Sequence, residues 1–342
     1  MSTPTDVTTA AEPAMMSYRE AVNAAIDDSL AEDPSVVFLG EDIANEGGVF
    51  KTNAGLPEKH PGRVINTPIC ENGFTGAALG AALAGMHPVI EFMYPDFVLE
   101  ACDQLFNHVA KSRYMYGGDH DVPVIARTQI ARGRGYGPQH SADPAGLFTT
   151  YPGWRVASPT TPADYVGCWN AAVLSRDPVL IIDDHRLAKT TGILPAAGFD
   201  HVVELGVART VRPGRDVTVV TWGYAATRVF EVVSSLAEHG IEAEVIDPRW
   251  LDAASFPRAD VLGSVGRTGA IVIAEDAQHT HSMGARILDY LQPDLHGLLR
   301  TAPLRVTGQD AYQPVSKPLE AFVHIQDDDI RVAIIAAAGK DD

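Results

Sequence analysis

Gly73-Phe74-Thr75-Gly76-Ala77-Ala78-Leu79-Gly80-Ala81-Ala82-Leu83-Ala84-Gly85, followed after Met86 by His87-Pro88-Val89-Ile90-Glu91-Phe92, is the stretch that decides the fold. The first run reads as a helix of small residues, able to pack closely against another backbone. The second is a short apolar run of strand length. A helix leading directly into a buried strand is one half of a βαβ unit. The pattern continues on both sides. Upstream, Ser17 can cap a helix with Glu20 three residues on, residues 18–30 have helical periodicity, and 36–40 form a buried strand ending in glycine. Downstream, the expected order is helix 97–116, strand 122–128, a glycine-rich loop 133–137, strand 155–158, helix 163–175 and strand 178–183. A Pro/Gly-bearing stretch at 193–198 interrupts the alternation. A second series then runs: strand 216–221, helix 225–239, strands 241–246 and 270–274, helix 281–291 and strand 304–307. The expected fold class is α/β, with a parallel-sheet domain over 17–192, a linker over 193–206 and a smaller α/β domain over 207–342.

A length of 342 residues suits two domains, and 46% hydrophobic with 20% charged residues is globular composition. The formal net charge of −18 argues against binding nucleic acid or an anionic membrane. The three cysteines, Cys70, Cys102 and Cys168, have no CxxC spacing, which suits a reducing cytoplasm better than a disulfide framework. Residues 1–16 are Thr/Ala/Pro-rich and carry no basic residue, so they read as a disordered tail rather than a secretory signal. The longest apolar stretch, 77–86, is too short to span a bilayer.

Dinucleotide, P-loop and zincin signatures are absent, as is paired Cys/His metal spacing. The loop Gly133-Arg134-Gly135-Tyr136-Gly137 resembles a phosphate cradle only in its glycine content. The informative segment is Asn66-Thr67-Pro68-Ile69-Cys70-Glu71-Asn72-Gly73-Phe74, which sets an acid between apolar neighbours at a strand-to-helix transition. Desolvation there should raise the pKa of Glu71 and fit it to share a proton with a ligand. Taken alone, a helix-start glutamate more often satisfies backbone N–H groups. His140, in the loop Gly137-Pro138-Gln139-His140-Ser141, is expected to be exposed and usable, although an isolated histidine of this kind is more often a surface residue. Phe97, taken alone, is ordinary core.

The string Thr67-Pro68-Ile69-x-Glu71-x-Gly73-Phe74-x-Gly76 resembles the signature of 2-oxo acid dehydrogenase beta subunits, which are transketolase-like. So do Glu91-Phe92-Met93, Asp103-Gln104, Ala110-Lys111-x-Arg113-Tyr114-Met115-x-Gly117-Gly118, Gln139-His140-Ser141 and Pro152-Gly153-Trp154-Arg155-Val156. In the second domain Gly240-Ile241-x-Ala243-Glu244-Val245-Ile246-Asp247-x-Arg249 and Pro318-Leu319-Glu320 are similar as well, so the likeness runs from about residue 16 to about 335.

The resemblance implies thiamine diphosphate as cofactor. It implies that Glu71 hydrogen-bonds N1′ of the aminopyrimidine and so activates the cofactor, that Phe97 stacks on the pyrimidine with Ile69 beside it, and that His140 orients the intermediate or the incoming lipoyl group. It further implies a potassium ion held mostly by main-chain oxygens at Val124, Ala172, Val173, Ser175 and Asp177. Relatives often carry an acid where Ser175 stands and Asn where Asp177 stands. The GDG motif that holds the diphosphate and Mg²⁺ in this enzyme class is absent. The resemblance therefore implies an alpha subunit that supplies that half of the site, an α₂β₂ heterotetramer, and a lipoyl acyltransferase partner, with a 2-oxo acid as substrate. Two further readings are the pyrimidine-binding half of a split transketolase, or an acetoin dehydrogenase beta subunit. A scaffold subunit without catalysis is the non-enzymatic reading, against which intact Glu71, Phe97 and His140 argue. The second domain, with no residue matched to cofactor chemistry, is expected to serve assembly, with the acids Asp327, Asp328, Asp329, Asp341 and Asp342 available to a basic docking partner.

Overall fold

Apolar, β-branched runs fold here into two large sheets beside a two-stranded one, and the computed structural model describes residues 15–45, 47–280 and 282–340. In chain order the first half contains β1 (Met15–Ser17), α1 (Tyr18–Glu32), β2 (Val36–Gly40), α2 (Leu56–Lys59), β3 (Val64–Asn66), α3 (Glu71–Leu83) and β4 (His87–Phe92). A 3₁₀ turn (Pro95–Ala101), a π-helical segment (Asp103–Val109) and α4 (Ala110–Met115) follow. Next come β5 (Ile125–Ile130), α5 (Ala145–Phe148), β6 (Arg155–Ala157), α6 (Pro162–Val173), β7 (Val179–Asp184) and β8 (Thr191–Ile193). Six of these strands make one wholly parallel sheet in the order β3-β2-β4-β5-β7-β6. Every residue of β5 and β7 is buried, as expected for central strands covered on both faces.

The second half contains β9 (Arg209–Arg212), β10 (Val217–Thr221), α7 (Gly223–Glu238), β11 (Ala243–Asp247), α8 (Arg258–Thr268), β12 (Ile271–Gln278), α9 (Met283–Leu295), β13 (Leu304–Gly308), α10 (Lys317–Val323) and α11 (Asp327–Ala338). Its five-stranded sheet runs β13-β12-β10-β11-β9, parallel except for β9. The α/β class and two-sheet organisation expected from the sequence are those observed.

Four local expectations need correction. Residues 97–116 are not one α-helix: the chain passes from a 3₁₀ turn through a π-helical segment into α4, and π segments tend to sit at functional sites. The strand expected over 122–128 instead runs Ile125–Ile130, with Arg127, Thr128 and Gln129 buried inside it. Residues 1–14 of the expected tail lie outside the described residues, and Met15 and Met16 pair with Ile193 and Gly192 as strand β1 on β8. Residues 193–206, expected as a linker, pack on the first domain: Val203 N–H donates to the Gly167 carbonyl at 3.0 Å, and Leu194 and Val203 join its core.

The domains share structure. A single apolar core runs from Phe74, Phe92 and Leu105 through Phe148 and Trp154 to Trp222, Ile246, Met283 and Ile287. The segment after β11 lies along the otherwise free edge of β6: Leu251 N–H donates to the Val156 carbonyl at 2.8 Å, and Ser158 N–H donates to the Arg249 carbonyl at 2.9 Å. An open strand edge is thereby paired within the chain.

Candidate active site

Ligands of open α/β sheets bind at the carboxyl ends of the strands, where the strand order reverses. That reversal falls between β2 and β4. Glu41 follows β2, Glu71 follows β3, Phe97 follows β4 and His140 follows β5, so four neighbouring strands deliver four candidate groups to one rim.

Glu71 is the first residue of α3, and the preceding Cys70 supplies no side-chain cap. The helix N-terminus favours an anion there. Glu71 is only 6% exposed and has no side-chain hydrogen-bond partner among the described residues. Glu41, which the sequence reading passed over, is buried beside it, and its Oε1 has no hydrogen-bond partner. Burial, and next the charge of Glu71, raise the Glu41 pKa. An acid directly after a strand, in Gly40-Glu41-Asp42, was the sequence signal that could have found it. Ile69, two residues before Glu71, is 85% exposed, a large apolar side chain left free beside a buried acid.

His140 is half-buried and ringed by aromatics rather than exposed. Its ring lies 4.4 Å from Tyr94, 5.5 Å from Phe97 and 5.9 Å from Tyr136, centroid to centroid. Its Nδ1 is buried without a partner. Phe97 is also half-buried, so the structure brings Phe97 and His140 into contact, and α3 packs on the 3₁₀ turn that carries Phe97. Asp96, at the same turn, accepts a hydrogen bond from Ala142 N–H at 3.1 Å. Burial raises its pKa.

The Gly133–Gly137 loop does not offer its N–H groups to a phosphate. Gly133 N–H and Gly135 N–H donate to the two carboxylate oxygens of Glu320 at 2.7 and 2.8 Å. The anion in this cradle belongs to the chain itself.

Among the positions implied for potassium, the Val124 carbonyl accepts Val179 N–H at 3.0 Å and the Ala172 carbonyl accepts Ser175 N–H at 3.1 Å. The Ser175 hydroxyl donates to the Asp177 carbonyl at 2.8 Å. The Asp177 carboxylate takes Arg113 and, at 3.1 Å, Arg155. Two guanidinium groups on that carboxylate, and a hydroxyl turned inward, do not fit side-chain ligation of a cation. Among the described residues no group of three or more His, Cys, Asp or Glu side chains is arranged to hold a metal, and no helix is long and apolar enough to cross a membrane. The acids expected to meet a docking partner are partly engaged: Asp327, Asp328 and Asp329 form the first turn of α11, and Asp327 accepts Arg228 at 2.7 Å. Asp341 and Asp342 lie outside the described residues.

Residues 14–189 match the family model "Transketolase, pyrimidine binding domain" and residues 206–330 match "Transketolase, C-terminal domain". The chain is 36% identical to the acetoin:2,6-dichlorophenolindophenol oxidoreductase beta subunit of Cupriavidus necator, over 89% of this chain and 92% of that protein. It is 35% identical to the mitochondrial pyruvate dehydrogenase E1 component subunit beta-1 of Arabidopsis thaliana, over 92% of this chain and 87% of that protein. A solved structure described as "Split gene transketolase, inactive beta4 tetramer" superposes with a TM-score of 0.77 at 22% identity, covering 95% of this chain and 98% of that one, and shares the fold. With both transketolase domains in order and close relatives along nearly its whole length, the chain belongs to the transketolase-like family of 2-oxo acid dehydrogenase E1 beta subunits.

Proposed function

We propose that this chain is the beta subunit of a thiamine-diphosphate-dependent 2-oxo acid dehydrogenase. It works with an alpha subunit in a cytoplasmic α₂β₂ assembly that decarboxylates a 2-oxo acid oxidatively and passes the acyl group to the lipoyl group of an acyltransferase. The observation that carries the reading is the pair of buried carboxyls at the sheet's switch point, Glu71 and Glu41, the latter with its Oε1 free of hydrogen-bond partners. Such a pair suits a heteroaromatic ring that exchanges a proton with one carboxyl. When bound, thiamine diphosphate supplies the electron sink for decarboxylation.

In this reading Glu71 holds the pyrimidine N1′ through a hydrogen bond and shares its proton, with Glu41 close enough to feel the change in charge. Burial, and next the charge of Glu71, raises the pKa of Glu41. Phe97 and Ile69 supply apolar surface for the ring. His140, its Nδ1 free of protein partners, stands at the aromatic wall to orient the acyl group. The diphosphate and Mg²⁺ fall to the alpha subunit, because the Gly133–Gly137 loop is occupied by Glu320. A potassium ion, in this reading, rests on main-chain oxygens alone. The small residues Gly73, Ala77 and Gly80 of α3 face outward, which supports close approach of a partner backbone near Glu71.

The test is reconstitution with the alpha subunit, assayed on a panel of 2-oxo acids with ferricyanide as acceptor. Glu71→Gln should lower decarboxylation by roughly 10²-fold or more without changing the melting temperature. Turnover near that of the unmodified complex would overturn the assignment. The acetoin-oxidising relative motivates a second reading, cleavage of acetoin. Adding acetoin to the panel decides between them.

A further inference from the structure

Glu320 lies on α10 in the second domain, far in sequence from the groups assigned above, and is 1% exposed. No lysine or arginine pairs with it among the described residues, and its nearest cationic candidate is His324 Nε2 at 3.9 Å. A buried carboxylate without an ion partner is tolerated when well-placed donors replace its water. Here the donors are the backbone N–H groups of Gly133 and Gly135. Both glycines have left-handed φ, +78° and +74°, a conformation other residues adopt at a cost. The contact is close enough that a Cβ on Gly135 would lie 2.5 Å from the Val315 carbonyl oxygen. The loop is therefore shaped against the segment just before α10 and clamped by one carboxylate.

The clamped loop leads to His140 within five residues. Its far side is also fixed: Arg132 Nε donates to the Ser141 carbonyl at 2.8 Å, and the Ser141 hydroxyl donates to the Gly137 carbonyl at 3.1 Å. Tyr136, between the clamped Gly135 and Gly137, forms one wall of the cage around the His140 ring. Releasing Gly133 and Gly135 would free that wall and the backbone that aims the imidazole.

We propose that Glu320 is a positioning residue that holds His140 in its aromatic cage, so that the second domain takes part in the reaction at the first domain's site. The inference rests on the role proposed for His140. The alpha–beta complex is compared with complexes carrying Glu320→Ala, Glu320→Gln, and Leu319→Ala as an exposed control on the same helix. Amide hydrogen exchange over residues 131–142 should rise at least tenfold in Glu320→Ala, by less in Glu320→Gln, which keeps one acceptor oxygen, and not in Leu319→Ala. Acyl transfer to added lipoamide should fall about tenfold in kcat, with KM for the 2-oxo acid and the ferricyanide-coupled rate little changed. On a His140→Ala background, Glu320→Ala should add no further loss. Unchanged exchange in the loop, or losses that multiply in the double variant, would overturn the proposal. If Glu320→Ala does not assemble, Glu320→Gln decides by the same measurements. If His140→Ala alone leaves acyl transfer intact, the role proposed for His140 fails, while the exchange data still decide whether Glu320 holds the loop.

Discussion

Replacing Glu275 by Gln should abolish a pH dependence of stability that the fold builds in. Glu275 is buried on β12, and its carboxylate accepts N–H groups of Met283 and Gly284 at the start of α9, at 3.0 and 2.7 Å. Burial, with buried Asp143 nearby, nevertheless pushes its pKa from 4.5 up to about 7, against the lowering effect of Ser282 and the two N–H groups. A folded-state pKa above the unfolded value means the folded chain holds the proton more tightly. The stabilisation is then fully present below the unfolded value of 4.5 and lost as pH rises through about 7. A rise of that size corresponds to about 3 kcal/mol, a large fraction of ordinary domain stability. Gln keeps the shape and does not titrate, so any constant offset between the two proteins cancels in the slope. Asp183 and Asp247, both raised to about 6, act with the same sign and are common to both chains. Urea unfolding of both proteins at a fixed chain concentration, from pH 4.5 to 8, should give a stability difference that shifts by about 3 kcal/mol in the variant's favour as pH rises. Curves that stay parallel across the range would refute the reasoning.

Arg127→Met should cost about 3–5 kcal/mol, read as a lowered urea midpoint, because it strands two carboxylates, the fully buried Asp183 at 2.6 Å and Glu91; Arg127→Met with Glu91→Gln and Asp183→Asn should recover most of that. Gly153→Ala should prevent stable folding or lower the melting temperature sharply, since its φ is +124° and a Cβ would lie 2.2 Å from the Ala110 carbonyl oxygen. The chain without its partner should bind thiamine diphosphate weakly by calorimetry, and tight Mg²⁺-dependent binding would contradict a diphosphate site on the alpha subunit. Neutralising Asp328 and Asp329, the two acids of the run with no ion-pair partner among the described residues, should flatten the salt dependence of acyltransferase association and leave ferricyanide-coupled activity unchanged.

Much of this was legible before folding. The strand at 36–40 and the strand at 87–92 are observed with the bounds read from periodicity, because buried parallel strands are continuous apolar runs and need no partner to be recognised. Ser17 and Glu20 form the capping box that their spacing predicts. What failed were elements whose residues depend on distant partners. The polar triplet Arg127-Thr128-Gln129 reads as a strand end, yet it is interior because Glu91 and Asp183 neutralise the arginine across neighbouring strands. The π-helical segment at Asp103–Val109 has the composition of an ordinary helix. The short strand β3 and the antiparallel β9 carry little periodicity in three and four residues.

By itself, then, the sequence determined the alternation of helix and strand, the two-domain order, the family, and Glu71, Phe97 and His140 as candidates, since each depends on local pattern or on residues quoted in a row. Tertiary structure decided which groups meet. Glu41 and Glu71 stand side by side only because β2 and β3 are neighbours, and His140 enters an aromatic cage because the ends of β4 and β5 adjoin. The glycine-rich loop, which reads as a cradle for a ligand's phosphate, closes on a carboxylate nearly two hundred residues away. A loop's backbone N–H groups advertise an appetite for negative charge, but only the packed chain shows which anion satisfies it.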